Sequence, residues 1–481
     1  MVSGKRVSAP PGLEPHKAAT VGADEQRAFC MSPRARRSGP DDLDALIEKV
    51  DPEDLRVIVG KAADRHEDVA RAVRLAAARG SGDLSQLRAE IDRGLRTSRY
   101  LGYRESGGWA MQARPVVEAI SEAVGPSPTA ELVLLIERAI GHVVKVILKA
   151  DDSDGLIGDL ARELLDLHAR ACDAGNADPI KLARWMVRFR FDDQDFFEVD
   201  PVRYADALGE LGLAAYRREV RRRVEAGGGD SFAATYAQER LAILDGDTEV
   251  LVGLLGGDLT RPYQFIRVAE AMAELGRDDD VLSWATRGIA ETSSWQVAQL
   301  YDLAVGVHTR RGEDQEVLRL RRGQHQRMPS SSTYGLLRTG AEACGVWPTE
   351  RPAAREVLAQ HDLGGLVDVL LSDGEPEAAW QVPGTHPGWD PGPQRWMHLA
   401  EAREASTPGD ALDVYLRLAD LQLETTGKAA YVRAVVILKK AARAARAAER
   451  RGAFAAHLAA LRETHRRRPT FIAVLDKARL G

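Results

Sequence analysis

The sequence predicts an all-α fold: an irregular helical-repeat, tetratricopeptide-like (TPR-like) α-solenoid. Three observations predict it. Apolar residues recur every three or four positions from residue 41 almost to the end. Ala, Leu, Arg and Glu, the stronger helix formers, dominate, while β-branched and aromatic residues are comparatively few. Adjacent helical segments pair as hairpins that cannot bury their apolar faces alone and must stack on a neighbour.

The elements follow in order. Residues 1–40 are rich in Pro, Gly, Ser and Arg, lack apolar periodicity and read as a disordered N-terminal tail; Met31 within it is a candidate natural start. Residues 41–380 read as a helical-repeat array. "DDLDALIEKV" and "PEDLRVIVGKAADRHEDVARAVRLAAA" open it, and "GDLSQLRAEIDRGLR" follows with Asp83 as its expected N-cap. Pro128 and Thr129 suit the start of "ELVLLIERAIGHVVKVILKA", and Gly175 suits the stop of "DGLIGDLARELLDLHARACDAG". "DPIKLARWMVRFRF" opens on Asp-Pro, a capping residue before a first-turn proline. Its alternation of Arg188 and Arg190 with Phe189 and Phe191 predicts a short extended end. "DPVRYADALGELGLAAYRREVRRRVEAGGG" repeats the Asp-Pro opening.

The clearest repeat unit is residues 262–290, "PYQFIRVAEAMAELGRDDDVLSWATRGIA". Tyr263, Ile266, Ala269 and Leu275 are expected on one face, Val281, Ala285 and Ile289 on the answering face, and Gly276 at the turn. Further pairs are expected over 295–326 and over 332–345 with 352–371. "QVPGTHPGWDPGP", residues 381–393, holds four prolines and reads as a Pro/Gly-rich linker. Residues 394–481 read as C-terminal helical repeats with a basic face, entered by a hairpin over 399–420 with Pro408 and Gly409 at its turn and Asp410 as a cap.

Composition narrows the function. The net charge of −6 is unevenly spread: residues 428–481 carry 14 Lys/Arg against three acids, residues 1–40 carry +4, and the remainder carries −21. The three cysteines, Cys30, Cys172 and Cys344, form no CxxC pair, which removes the usual basis for a structural zinc site and suits a reducing compartment. The N-terminus has no signal-peptide apolar run, and the longest apolar stretches are amphipathic, so the expectation is a soluble, cytoplasmic protein with no membrane contact.

Candidate sites are few. Asp151, Asp152 and Asp154, and Asp192, Asp193, Asp195, Glu198 and Asp200, lack calcium-loop spacing and lie where helices start or stop, so capping is expected. Trp185, Phe189, Phe191, Phe196 and Phe197 are expected to fill a core or an inter-helix seam. His168 and Cys172 share a helical face, with nothing nearby to activate the thiol. His386 and His398 lack carboxylate or thiol partners for a metal. No GxGxxG, P-loop, GxSxG or HExxH motif occurs, so no catalytic residue, cofactor or metal is expected. The strongest candidate is a basic face for an anionic partner: Arg433, Lys439, Lys440, Arg443, Arg446 and Arg450, then Arg466, Arg467 and Arg468.

Several stretches together resemble the helical C-terminal half of bacterial SWIM zinc-finger family proteins. They are "DDSDGLIGDLARELLDLHARAC" (151–172), "PVRYADALGELGLAAYRREV" (201–220), "PYQFIRVAEAMAELGRDDDVLSWATRGI" (262–289) and "RWMHLAEAREASTPGDALDVYLRLAD" (395–420), with "AYVRAVVILKKAARAA" and "LRETHRRRPTFIAVLD" beyond. The family's zinc element uses CxC followed by CxH, and neither occurs here. The resemblance therefore implies the helical part alone, with interaction as its role and no defined activity. The resulting expectation is a non-enzymatic helical scaffold with a protein partner; the alternative is a nucleic-acid-associated module acting through the basic C-terminal helices.

Overall fold

The computed structural model describes residues 43–81, 84–126, 128–228 and 232–480. The expected tail over 1–40, the candidate start at Met31 and the expected cap at Asp83 lie outside the described residues. Among the described residues the secondary structure is helical, and one isolated bridge, Leu101 to Ala150, stands in place of any strand. The chain divides into two compact units, Met1–Leu182 and Ala183–Gly481.

The first unit holds α1 (Leu43–Ile47), α2 (Pro52–Ala63), α3 (Glu67–Ser81), α4 (Leu84–Gly94), α5 (Tyr103–Ala123), α6 (Ala130–Ile147) and α7 (Leu156–Ala171). Thr129 caps α6 as expected, its side chain accepting from the Leu132 amide at 3.2 Å. The core forms where α4 to α7 converge, with Ile91, Ile120, Ile136, Ile140, Ile157, Leu160 and Leu164 fully buried. Each such aliphatic side chain contributes about 1.5–3 kcal/mol by leaving water. Gly94 lets α4 approach α5 closely: a Cβ there would sit 2.8 Å from Val116 Cγ2. By contrast α2 buries none of its residues.

Helix α8 (Pro179–Arg188) runs across the division. Asp178 accepts from the amides of Ile180 and Lys181 at 3.0 and 3.1 Å, so its Asp-Pro start behaves as expected. Its end does not: Phe189–Asp193 continue as a π-helical turn instead of an extended segment. Widening the helix by one residue lets Phe189 and Arg190 both turn inward, which a strand's alternation would forbid.

In the second unit, α9 (Ala205–Arg223) starts five residues after Asp200, and its backbone breaks at Gly209, which takes φ 51°. Stacked hairpins follow. They are α10 (Phe232–Asp245) with α11 (Thr248–Gly256), α12 (Pro262–Glu274) with α13 (Asp278–Glu291), and α14 (Val297–Arg310) with α15 (Asp314–Arg327). Then come α16 (Ser331–Ala343) with α17 (Trp347–His361), α18 (Leu363–Ser372) with α19 (Pro376–Thr385), and α20 (Gly392–Arg403) with α21 (Pro408–Glu424). The last are α22 (Lys428–Ala447), α23 (Arg451–Thr464) and α24 (Pro469–Ala478). First helices start at residues 232, 262, 297, 331, 363, 392 and 428, so the period drifts between 29 and 36 residues.

One turn recurs inside these hairpins. Gly246, Gly276, Gly312, Gly345 and Gly374 follow the first helix in left-handed conformation, with φ between 66° and 78°. After each, the next amide reaches back five residues, as Arg277 N does to Met272 O at 2.9 Å and Glu313 N to His308 O at 2.9 Å. Glycine takes this conformation without a Cβ clash. At the turn after α22 the same place is held by Glu449, with φ 57°.

Three expectations change in detail. Tyr263 is exposed, and the buried face of α12 is Phe265, Ile266, Val268, Ala269 and Met272. The span 352–371 holds two helices, since Asp362 ends α17 and caps α18 by accepting from Gly365 N at 2.9 Å. Within 381–393, residues to Thr385 finish α19 and Gly392 begins α20, which leaves 386–391 as a tight connection. Trp380 and Trp396 bridge that connection edge to face at 5.7 Å, and both pack on the flanking cores.

Candidate functional site

The basic C-terminal face is where sequence placed the strongest candidate. Its residues do lie on α22 and around α23, but most are turned to their own chain. Lys440 pairs with Glu401, and the Arg443 guanidinium meets Glu404 at 2.7 Å; both acids lie on or beside α20. Arg450 reaches Asp413 on α21 at 3.0 Å. Arg468 donates to the Leu423 carbonyl at 2.7 Å, closing the end of α21, and Arg466 pairs with Glu463 at 2.6 Å. Arg433 touches Gln422 at 3.4 Å and Arg446 its own helix's Ala442 carbonyl at 3.2 Å. Among the described residues, Arg433, Arg446 and Arg468 thus meet neutral groups only, and Lys439 and Arg467 have neither an ion pair nor a side-chain hydrogen bond. The stripe is thus a seam that fixes α22 to the α20–α21 hairpin, and it brings together no continuous row of free cations.

The charges respond accordingly. Arg443 beside it, helped by the Tyr415 hydroxyl at 2.9 Å, holds the Glu404 carboxyl below the usual carboxylate range. Burial, then the same hydrogen bond, pushes the Tyr415 phenol up.

The other candidates are structural. Asp152 caps α7, accepting from Ile157 N at 2.9 Å and Gly158 N at 2.8 Å, while Asp151 and Asp154 accept from the local turn. Asp192 pairs with Arg223 at 2.6 Å, and Asp200 takes the Arg240 fork at 2.9 and 2.8 Å. Among the described residues no group of three His, Cys, Asp or Glu could hold a metal ion. Trp185, Phe189 and Phe197 are buried, with Trp185 and Phe189 stacked at 5.3 Å; Phe196 is exposed. Cys172 and His168 do meet, Sγ to Nε2 at 3.7 Å, but both are fully buried. Burial, with Glu137 and Asp173 adding to it, pushes the Cys172 thiol up to about 12, the opposite of an activated nucleophile.

Sequence reasoning missed a pair of concave surfaces in the second unit. Two grooves flank the first half of α20. One, about 980 Å³, lies toward α18, with Asp368, Leu371 and Ser372 facing Gln394, Arg395 and His398. The other, about 510 Å³, lies toward α21 and α22, floored by Met397, Leu418, Leu421 and Ile437. Pro393, Gln394 and His398 border both. Arg395 is held against Asp368 by hydrogen bonds of 3.0 Å and Gly364 leaves room for it, since a Cβ there would lie 2.7 Å from its Cζ. The sequence signal was present as the Pro391–Gly392–Pro393 start of α20, which reads as a break although it is a helix start.

No protein-family model matches the chain, and no curated protein matches it. Among solved structures, one similar chain is described as a circular tandem repeat protein with novel repeat topology and enhanced subunit contact surfaces. It is 13% identical, the match covers 85% of this chain and 98% of that one, and the TM-score is 0.14. At that score the likeness carries no argument, and the helical-repeat architecture stands on the hairpins described above.

Proposed function

We propose that the chain is a non-enzymatic helical-repeat scaffold that binds a protein partner along the grooves flanking α20. The observation that carries this is the contrast between two surfaces. On the basic face Lys440, Arg443 and Arg450 are taken up by Glu401, Glu404 and Asp413, whereas the grooves keep an apolar floor beside the open polar side chains of Gln394 and His398. An apolar floor with a few polar groups is how proteins recognise extended segments. Absence of a familiar catalytic motif and the raised Cys172 thiol support the non-enzymatic part. The test is affinity capture with the full chain and with Met397→Glu, at a half-buried position packed against the C-terminal core, and His398→Glu, at an exposed one, each checked by far-ultraviolet dichroism so that lost binding is separated from lost fold. A partner captured by the parent and lost from both variants fits; partners indifferent to both changes rule the grooves out.

The nucleic-acid reading finds less support, because a phosphate backbone would have to displace the Lys440, Arg443 and Arg450 carboxylates. We also infer membership of the SWIM zinc-finger family's helical part, supported by the segments quoted above, and a cytoplasmic setting, supported by unpaired Cys172 and Cys344. Among the described residues no helix is long and apolar enough to cross a membrane.

A further inference from the structure

A surface helix ordinarily packs one face and carries polar side chains on the other. Helix α2 departs from that pattern. Leu55, Val59 and Ala63 are half-buried beside Val73 of α3, yet Val57 and Ile58, on the far side of the helix, are 53% and 55% exposed. Leu43, Leu46 and Ile47 of the preceding α1 are exposed as well, so the first two helices concentrate open aliphatic side chains.

The outer stripe of α2 has an order. With 3.6 residues per turn, Asp54, Val57, Ile58 and Lys61 fall within about 100° of arc. Asp54 and Lys61 stand two turns apart, about 10 Å along the axis, with the two aliphatic side chains midway between them. Among the described residues neither Asp54 nor Lys61 has an ion pair, while Glu53 and Arg56 pair with each other. The stripe therefore runs acid, apolar, apolar, base, and it is its own complement when reversed. With a second α2 laid antiparallel, about a two-fold axis between Val57 and Ile58, Lys61 of each copy faces Asp54 of the other. Val57 of each likewise faces Ile58 of the other. A two-fold axis makes every contact twice, so both ion pairs form together. Parallel helices would set Asp54 against Asp54 and Lys61 against Lys61.

We propose that α2 is the seat of an isologous, antiparallel contact between two copies of this chain. Packed helices approach to about 8–10 Å, close enough for the aliphatic pair to interdigitate while the charges meet at the rim. Residues 1–40 complement the stripe less well, because they carry +4 and no apolar periodicity. A peptide of one charge sign would match one end of the stripe and oppose the other. The net −6 of each chain is spread over its surface and screened beyond about 8 Å at physiological salt, so the local pairing decides. The contact uses a different helix from the α20 grooves, so neither reading depends on the other.

Sedimentation velocity of the full chain from about 1 to about 100 µM tests the proposal, a small interface placing the dissociation constant in that range. Ile58→Asp should weaken the dimer about tenfold or more. Asp54→Lys alone and Lys61→Asp alone should each weaken it about tenfold, since each sets like charges face to face. An equimolar mixture of these two charge variants should recover the parent's affinity, because in the mixed pair every lysine again faces an aspartate. A contact within one chain, or with a different protein, would give no such recovery. All three positions are exposed, and an unchanged far-ultraviolet dichroism spectrum separates lost association from lost fold. Met397→Glu should leave the dimer intact, which separates it from partner binding at the α20 grooves. A chain that stays monomeric to about 100 µM, as it would with residues 1–40 covering α2, overturns the proposal. So does a dimer indifferent to Ile58→Asp, or a pair of charge variants that fails to recover on mixing.

Discussion

Single residues decide the joints of this molecule. Glu449 occupies a left-handed position that glycine holds in five equivalent turns, and a non-glycine residue there costs about 1 kcal/mol. Glu449→Gly is therefore expected to raise stability by about 1 kcal/mol in urea unfolding, and Gly312→Ala to lower it by a similar amount. Gly288 is a different case: a Cβ would fall 2.7 Å from Phe265 Cβ and from Leu300 Cδ1, so Gly288→Val should cost about 1–3 kcal/mol or more through overpacking, read as a lower melting temperature. Titratable residues add a pH dependence. Burial holds His142 and His325 below the ordinary imidazole range, and His325 is enclosed by Thr333 at 3.0 Å and the Ala354 carbonyl at 2.9 Å. Both favour the neutral ring in the folded state, so their stabilisation is full above about pH 6.5 and is lost as the pH falls below it. Asp92 acts further down: hydrogen bonds from Arg138, then His142, hold its carboxyl to about 2. Its contribution is present above about pH 3.9 and lost as the pH falls toward 2. Urea melts from about pH 8 to about pH 4 should thus show steadily falling stability, and a flat profile between pH 7 and 5 would contradict the histidine assignment.

At the scale of elements, α22 shows most clearly what sequence could and could not reveal. Its length, its start after Gly427 and its apolar stripe of Tyr431, Ala434, Val435, Leu438, Ala441 and Ala442 were legible from periodicity. The direction of its cations was not, because their partners lie 37 to 39 residues earlier, on helices whose packing only the fold supplies. The same holds for the grooves, whose walls come from α18, α20, α21 and α22. The linker over 381–393 was misjudged for a local reason: proline at a helix start resembles proline in a loop until the following residues are seen to be helical. The consequence for α22 is testable. The parent chain and the combined Arg466→Ala, Arg467→Ala and Arg468→Ala variant should both show DNA and RNA binding near zero at low and moderate salt alike, by electrophoretic mobility shift. Steeply salt-dependent binding that vanishes in the triple variant would restore the nucleic-acid reading. Glu404→Gln should cost no more than about 1 kcal/mol, because Arg443 is open to solvent.

Across the whole molecule, stability is distributed by neighbour contact, and hydrogen exchange should reveal it. In the first unit α2 buries no residue, so its amides should exchange faster than those of α6, where nine residues are buried; equal protection would contradict the packing described. In the second unit the fold class and single hairpins such as those over 262–290 and 295–326 could be read from the sequence because each hairpin is local. The period could not, because its drift between 29 and 36 residues hides the repetition, while the turn glycines at 246, 276, 312, 345 and 374 keep the beat. Those turns have a bearing on how such a chain changes over generations. A deletion or duplication with both ends in two of them removes or adds one outgoing and one incoming helix together. The new junction again joins a helix end, a left-handed glycine and a helix start. Recombination at these points can therefore lengthen or shorten the array while every joint keeps a workable geometry, and the helices between are free to diverge.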